Sequence, residues 1–436
     1  MTQPAGVSLQ DLTPPFIGPS THNKQSGDQA MSNNLIGLVG IAAILGIAVL
    51  FSSNRKAISL RVVGAAFALQ AAVAVLVLYF EPGKMAIATM SNGVLAVIGY
   101  SREGINLVFG ALASDEVGFS VVVHVLPIVI FFSALMSVLY HLKIMQWVVK
   151  LVGGALRWVI GSGRIESLNA AANIFIGQTE SPLVVRPYLK SLSDAQMFAV
   201  MVSGLASVAG TMLAAYVLMG AEMKYLLAAS FMAAPGGLLM AKIIMPDEHL
   251  ETASEGPVEM EDSRHVNVIM AAAIGASDGL KLAVNIGAML MAFIALIALL
   301  NGLIGGIAGL AGIEGLTLQK VLGWLFAPLM YLLSVPWTEA QAAGAVFGEK
   351  IVLNEFIAFT HWDEYLAGAS ERTRAIVTFS LCGFANLASV AILLGGLGVL
   401  VPERRELIAR FGLKAVAAGS LSNLMSAALA GLLLSL

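Results

Sequence analysis

Apolar stretches of roughly the ~20 residues that cross a hydrocarbon layer recur along this chain, at about 34–51, 60–80, 119–140, 195–220, 223–245, 282–312, 375–400 and 411–436. Inside a bilayer a spanning segment must satisfy its own backbone hydrogen bonds, so runs of this kind fold as helices. The expected fold is an all-α integral membrane protein with about eight transmembrane helices. Composition agrees, because with 58% hydrophobic and 12% charged residues there is too little polar surface to coat a soluble globule. The formal charge of -3 comes without the basic stripe that nucleic acid requires, which argues against such a partner. Cys382 is the single cysteine, so an intramolecular disulfide is excluded and the residue reads as packing.

The flanks of these stretches carry the topology. Residues 1–33 are rich in Pro, Gln, Ser and Thr and read as a polar, disordered leader, not a signal peptide. Basic residues cluster after the first span (Arg55, Lys56, Arg61), after the third (Lys143, Lys150, Arg157, Arg164) and before the last (Arg404, Arg405, Arg410, Lys414). These loops are expected in the cytoplasm, with both termini outside; Arg372 and Arg374 go against the count. The acidic stretch 246–265 reads as a solvated cytoplasmic connector between two halves.

Two further apolar segments are too short or too polar to cross. Residues 165–190 place Gly177-Gln178-Thr179-Glu180-Ser181-Pro182 between half-length apolar arms, and 336–360 place Asn354-Glu355 at the end of an Ala/Gly-rich arm. Both patterns predict re-entrant hairpins with a carboxylate at membrane depth. Leu205-Ala206-Ser207-Val208 recurs as Leu387-Ala388-Ser389-Val390, each copy following its hairpin by a similar interval, so the halves form inverted repeats with a binding site between them.

A carboxylate at bilayer centre costs roughly 2.5–3.5 kcal/mol on insertion scales, so Glu180 and Glu355 must face a hydrated cavity or a donor-rich ligand. Gln178, Thr179, Asn386 and Ser389 both donate and accept, a set suited to a neutral polyhydroxylated or heterocyclic solute. Asn173 and Ser207, with carbonyls freed near Ile176 and Val208, suit a small hard cation such as sodium. Equally, these two side chains can serve only to satisfy backbone groups at helix breaks. His124 is read as a scaffold histidine with no assigned role. No His-Glu-x-x-His run or intramembrane aspartate pair occurs in the sequence, which argues against an enzyme.

Asn173-Ile174-Phe175-Ile176-Gly177-Gln178-Thr179-Glu180 and its continuation to Pro187 closely resemble the first hairpin of the concentrative nucleoside transporters. So do Gly204-Leu205-Ala206-Ser207, Asn354-Glu355-Phe356 and Gly383-Phe384-Ala385-Asn386-Leu387-Ala388-Ser389. The resemblance implies a homotrimeric elevator with interfacial helices in addition to spans and hairpins, located in the cell (inner) membrane of a bacterium. It places a nucleobase against Gln178, Thr179 and Glu180, with apolar contacts from Leu282 and Phe384 and with Met212 beside the base, where relatives carry a smaller side chain. The ribose falls to Glu355, Asn386 and Ser389. A co-transported sodium ion falls to Asn173 and Ser207 and to the carbonyls of Ile176, Ser207 and Val208. The implied activity is sodium-coupled import of nucleosides such as uridine, with a proton-coupled carrier using Glu180 or Glu355 as the alternative. The implied organisation is scaffold-type spans at 34–142 and 266–312, and transport-domain repeats at 143–245 and 313–436.

Overall fold

The computed structural model describes residues 22–114, 117–247 and 266–435. The acidic connector beyond Asp247 and the leader up to residue 21 lie outside the described residues. Every regular element among them is helical. The first third contains α1 (His22–Leu50), α2 (Leu60–Leu78), α3 (Glu81–Phe109), α4 (Leu126–His141) and α5 (Ile144–Ile160). Then come α6 (Arg164–Ala172), a 3-10 arm (Ser181–Ser191), α7 (Asp194–Ala206), α8 (Gly210–Leu218) and α9 (Met223–Ile244). After the connector follow α10 (Val268–Leu310), α11 (Leu318–Leu332), α12 (Trp337–Val352), α13 (Glu355–Thr360) and α14 (Trp362–Leu366). The chain closes with α15 (Glu371–Leu381), α16 (Ser389–Gly395), α17 (Leu397–Leu400) and α18 (Arg405–Leu433).

Among the described residues, Leu60–Leu78, Val121–His141, Asp194–Leu218, Met223–Ile244, Val268–Leu310 and Pro402–Leu433 are long and apolar enough to cross a membrane. Leu35–Leu50 and Ser389–Leu400 are shorter apolar pieces, and together these segments fall on the expected stretches. Three details differ. Helix α1 begins at His22, inside the stretch expected to be a disordered leader. Helix α10 begins at Val268, before the apolar run at 282, and its Asp278–Lys281 pair, at 2.9 Å, faces outward. Helix α3 lies where no span was expected. Its buried positions Gly83, Ile87, Ser91, Ile98, Ser101 and Ile105 follow the helical period on one face, while Glu81, Lys84, Arg102 and Glu103 lower its hydropathy.

The two halves are built alike. Each has a packing helix (α5 or α11), a hairpin with a polar tip and a helix broken in mid-course, and ends in a long helix, α9 or α18. The first tip is the turn 173–180 between α6 and the 3-10 arm; the second is Leu353-Asn354 between α12 and α13. Capping fixes the elements around these tips: Asn354 Oδ1 accepts from Ile357 N at 2.8 Å to open α13. Ser193 and Gln196 form a reciprocal capping box that opens α7. The breaks are set by backbone needs as well. Ser207 is extended at the end of α7, and Gly210 N restarts the chain by donating to Phe175 O of the first tip at 3.0 Å. Gly383, in the second break, lies so close to the Asn423 side chain that a Cβ would collide with it.

Packing separates a core from a periphery. Helices α7, α9 and α18 pack on one another, with α15 against α18 and α11 against α12. The apolar window of α9 is 94% buried and that of α10 is 17% buried, so α10 meets lipid or other protein over most of its surface. Helix α10 packs mainly on α4 through Ala271, Gly275, Gly279 and Ala283, a stripe of small residues at four-residue spacing that lets the backbones approach. Ser137 Oγ donates to Ala271 O across this contact at 2.7 Å. Helices α1 and α2, expected among the scaffold-type spans, pack mainly on α18 and α9 respectively. An apolar sequence states that a segment avoids water, not which neighbour it chooses.

A buried ion pair ties the base of the first hairpin to α9. Lys242 Nζ lies 2.5 Å from Glu166 Oε1 and 2.7 Å from Asp247 Oδ2, and Glu166 Oε2 accepts from Gly163 N at 2.9 Å. The Glu166 side chain is 1% exposed. Lys242→Met removes its cation and is expected to cost about 3–5 kcal/mol, read as a lowered thermal unfolding midpoint in detergent. Adding Glu166→Gln should recover most of that loss; a single variant as stable as wild type would show that the pair does not hold the hairpin.

Candidate functional site

The two hairpin tips and the two helix breaks converge on a cavity of about 360 Å³, near the low end of the ~300–1,000 Å³ usual for small-molecule sites. Gln178, Thr179 and Glu180 reach it from the first tip, Met212 from α8 and Leu282 from α10. Glu355 enters from the start of α13, and Phe384, Asn386 and Ser389 from the second break. All nine side chains singled out in the sequence as solute contacts thus line one space. No lysine or arginine lines it among the described residues, so the wall carries carboxylates, amides, hydroxyls and apolar groups.

Glu355 is the best organised of these groups. Its carboxylate accepts from Tyr216 Oη at 3.1 Å and from Asn386 Nδ2 at 3.3 Å, and the residue is 4% exposed. Asn386 in turn accepts from Ser389 N through Oδ1 at 2.9 Å, while Ser389 Oγ donates to Phe384 O. The second break is therefore folded around its own side chains, and Glu355 retains lone pairs that face the cavity. Glu180 Oε2 accepts from Gly177 N at 3.0 Å, which closes the first tip, and its residue is exposed to the cavity. Gln178 Oε1 is buried and has no hydrogen-bond partner among the described residues, leaving an acceptor free for a ligand donor.

The residues singled out for a cation gather where the first tip meets the α7 break. Asn173 Oδ1 accepts from Ser181 Oγ at 2.8 Å, and its Nδ2 donates to Asn169 O at 2.9 Å. Ser207 Oγ donates to Ser203 O at 3.1 Å, and its own carbonyl accepts from Phe384 N at 3.1 Å. Ile176 and Val208 are buried beside them. Asn169 Oδ1, one helical turn before Asn173, is buried without a hydrogen-bond partner among the described residues. No group of three His, Cys, Asp or Glu side chains is placed to hold a metal there or elsewhere among the described residues. A cation at this junction would thus rely on neutral oxygens, which suit alkali ions better than transition metals.

Three polar residues of the cavity wall and one behind it received no site role from the sequence. Tyr216, which donates to Glu355, follows Met212 by one helical turn; Asn354 caps α13 beside it. Thr211 and Asn285 also line the wall. Asn285 had a usable signal, since it is a lone amide within the apolar run from Leu282 to Leu300 of α10. His124, left without a role, accepts from Ser120 N through Nδ1 at 3.1 Å and stacks on Phe119, away from the cavity.

Comparison with known proteins agrees with this geometry. Family models described as the N-terminus and the C-terminus of Na+ dependent nucleoside transporters match residues 39–112 and 225–431, and one described as nucleoside recognition matches 122–223. Nucleoside permease NupC of Helicobacter pylori is 49% identical over 93% of this chain and 99% of its own. Sodium/nucleoside cotransporter 1 of Rattus norvegicus is 35% identical over 92% of this chain and 64% of its own. The solved structure of CNTnw in an inward-facing substrate-bound state superposes with a TM-score of 0.86 at 48% identity, covering 93% of this chain and 98% of that one. A doubly substituted CNTnw in an outward-facing state gives 0.90 at the same identity, covering 93% and 99%. With the motifs, the all-helical elevator fold and the shared cavity in agreement, the chain belongs to the concentrative nucleoside transporters, multi-pass membrane carriers and not enzymes.

Proposed function

We propose that this protein is a sodium-coupled nucleoside symporter that works as a homotrimer by an elevator motion. The observation that carries the reading is the convergence of nine donor, acceptor and apolar side chains, eight from the two repeats and Leu282 from α10, on one cavity beside a cation junction made of neutral oxygens. The nucleobase lies against Gln178, Thr179 and Glu180, where the free Gln178 Oε1 accepts from a base N–H, with Leu282, Met212 and Phe384 covering its faces. Ribose hydroxyls donate to Glu355 and exchange hydrogen bonds with Asn386 and Ser389. Charge-assisted bonds to a carboxylate are the strong ones, so Glu355 anchors the sugar.

Sodium binds through Asn173, Ser207 and the carbonyls of Ile176, Ser207 and Val208, with the unpartnered Asn169 Oδ1 close by. Ser207 O already holds Phe384 N, and Gly210 N holds Phe175 O. A cation that fixes the α7 break therefore also fixes Phe384 at the cavity and the back of the first tip, and ion and nucleoside favour the same arrangement. That differential affinity is what couples the two fluxes. The moving body comprises the hairpins, the broken helices and α9 and α18, joined by α1 and α2 through their packing; α3, α4 and α10 form the static scaffold.

Uridine uptake into proteoliposomes tests the reading. Accumulation is expected under an inward sodium gradient and not under an inward proton gradient. Proton-driven uptake would instead favour a carrier in which Glu180 or Glu355 takes the proton. Absence of uptake with uridine and with purine nucleosides under every gradient would remove the solute assignment.

A further inference from the structure

The second repeat contains a buried cation of its own. Lys350 lies in the last turn of α12, the first arm of the second hairpin, and is 0% exposed. Its Nζ donates to Ser380 O and to Asn423 Oδ1, both at 2.7 Å, and stands 5.7 Å from the centre of the Phe347 ring, within cation–π range. Asn423, on α18, uses its other end to bridge the two breaks: Nδ2 donates to Ala206 O at 2.6 Å and to Cys382 O at 2.7 Å. These carbonyls belong to the C-terminal ends of α7 and α15, where the helix dipole is negative and the last carbonyls lack helical partners.

The first repeat also brings the end of its first hairpin arm to a broken helix, with no lysine there. Asn173 ends α6, the first arm of its hairpin, and its Oδ1 lies beside Gly204 in the last turn of α7. Each hairpin's first arm thus ends against the carbonyl end of a broken helix. In one repeat the arm presents a neutral amide; in the other it presents an ammonium.

Building on the sodium reading above, we propose that Lys350 is a resident cation: its ammonium occupies in the second repeat the position that a mobile sodium ion takes in the first. One ion then travels with each nucleoside, and the second carbonyl cluster is filled permanently by the protein. Shortening the lysine should open that cluster to a small cation from solution. The carbonyls of Ser380 and Cys382 and the Asn423 side chain would receive it.

The test compares wild type, Lys350→Ala and Lys350→Gln as purified full-length protein in detergent, by thermal unfolding in choline, sodium or methylammonium chloride. Methylammonium should leave wild type unchanged and raise the unfolding midpoint of Lys350→Ala by several degrees. Lys350→Gln, which fills the space with a neutral donor, should remain destabilised and gain nothing. In proteoliposomes the sodium dependence of uptake should steepen from a Hill coefficient of about one in wild type towards about two in Lys350→Ala. A Lys350→Ala protein indifferent to methylammonium, or a Lys350→Gln protein as stable and as active as wild type, would overturn the proposal. Should Lys350→Ala fail to fold, the reversal potential of wild-type transport decides: about one net charge per nucleoside supports a single mobile ion, whereas about two would overturn it. Wild-type uptake insensitive to sodium would defeat the sodium reading alone, since the methylammonium response still decides whether Lys350 is a replaceable cation.

Discussion

Glu355→Gln is expected to weaken nucleoside binding by about a hundredfold or more and to stop measurable uptake, while the folded protein persists. The carboxylate is held by Tyr216 and Asn386 and keeps lone pairs that the proposed binding mode gives to ribose hydroxyls. A hydrogen bond to a charged group contributes about 1.5–3 kcal/mol, and two of them account for a change of that size. The amide keeps the volume but loses the charge, and its NH2 group turns a donor towards Tyr216 or the sugar. Titration calorimetry with uridine in saturating sodium measures the affinity, and thermal unfolding checks the fold. Near-normal binding by a well-folded Glu355→Gln would mean that the carboxylate organises the second break without meeting the solute.

Asn173→Ala should act on the ion and not on the sugar. It removes Oδ1, which receives the Ser181 hydroxyl and lies beside Gly204 in the last turn of α7. The sodium concentration for half-maximal uptake is expected to rise by about tenfold, the equivalent of ~1.4 kcal/mol, while uptake in saturating sodium recovers much of its rate. Uridine affinity measured without sodium should be close to that of wild type. A variant whose uridine affinity falls equally with and without sodium would place Asn173 in the packing of the tip and outside the cation junction.

Much of the site was legible because its chemistry contradicts its surroundings. Glu180 and Glu355 stand out in apolar sequence, and the ordered motifs around them supply Gln178, Asn386 and Ser389. All of these side chains line the cavity. Tyr216 and Thr211 were hidden because a tyrosine or a threonine in an apolar helix is unremarkable until the facing carboxylate is known. Lys350 and Asn423 were hidden for a similar reason: apart from each other, their partners are backbone carbonyls, which have no sequence signature. The fold shows the same division. Apolar length located the spans and polar kinks located the hairpins, but the alliance of α1 and α2 with α18 and α9 rests on surface shape. Helix α3 was missed because a one-sided apolar face averages to modest hydropathy.

Helix α10 has 43 residues, ~65 Å at about 1.5 Å per residue, roughly twice the thickness of the hydrocarbon it meets. It gives the cavity a wall of Leu282, Asn285, Ile286, Met289 and Leu290, yet it packs chiefly on α4. In an elevator this wall is the track and not the cabin. On the elevator reading proposed above, a loaded carrier would slide past other residues of this helix, so a bulky residue introduced beyond the cavity wall is expected to change friction along the journey. Helix α10 would thus set grip where Leu282 meets the cavity and speed along the rest of its length.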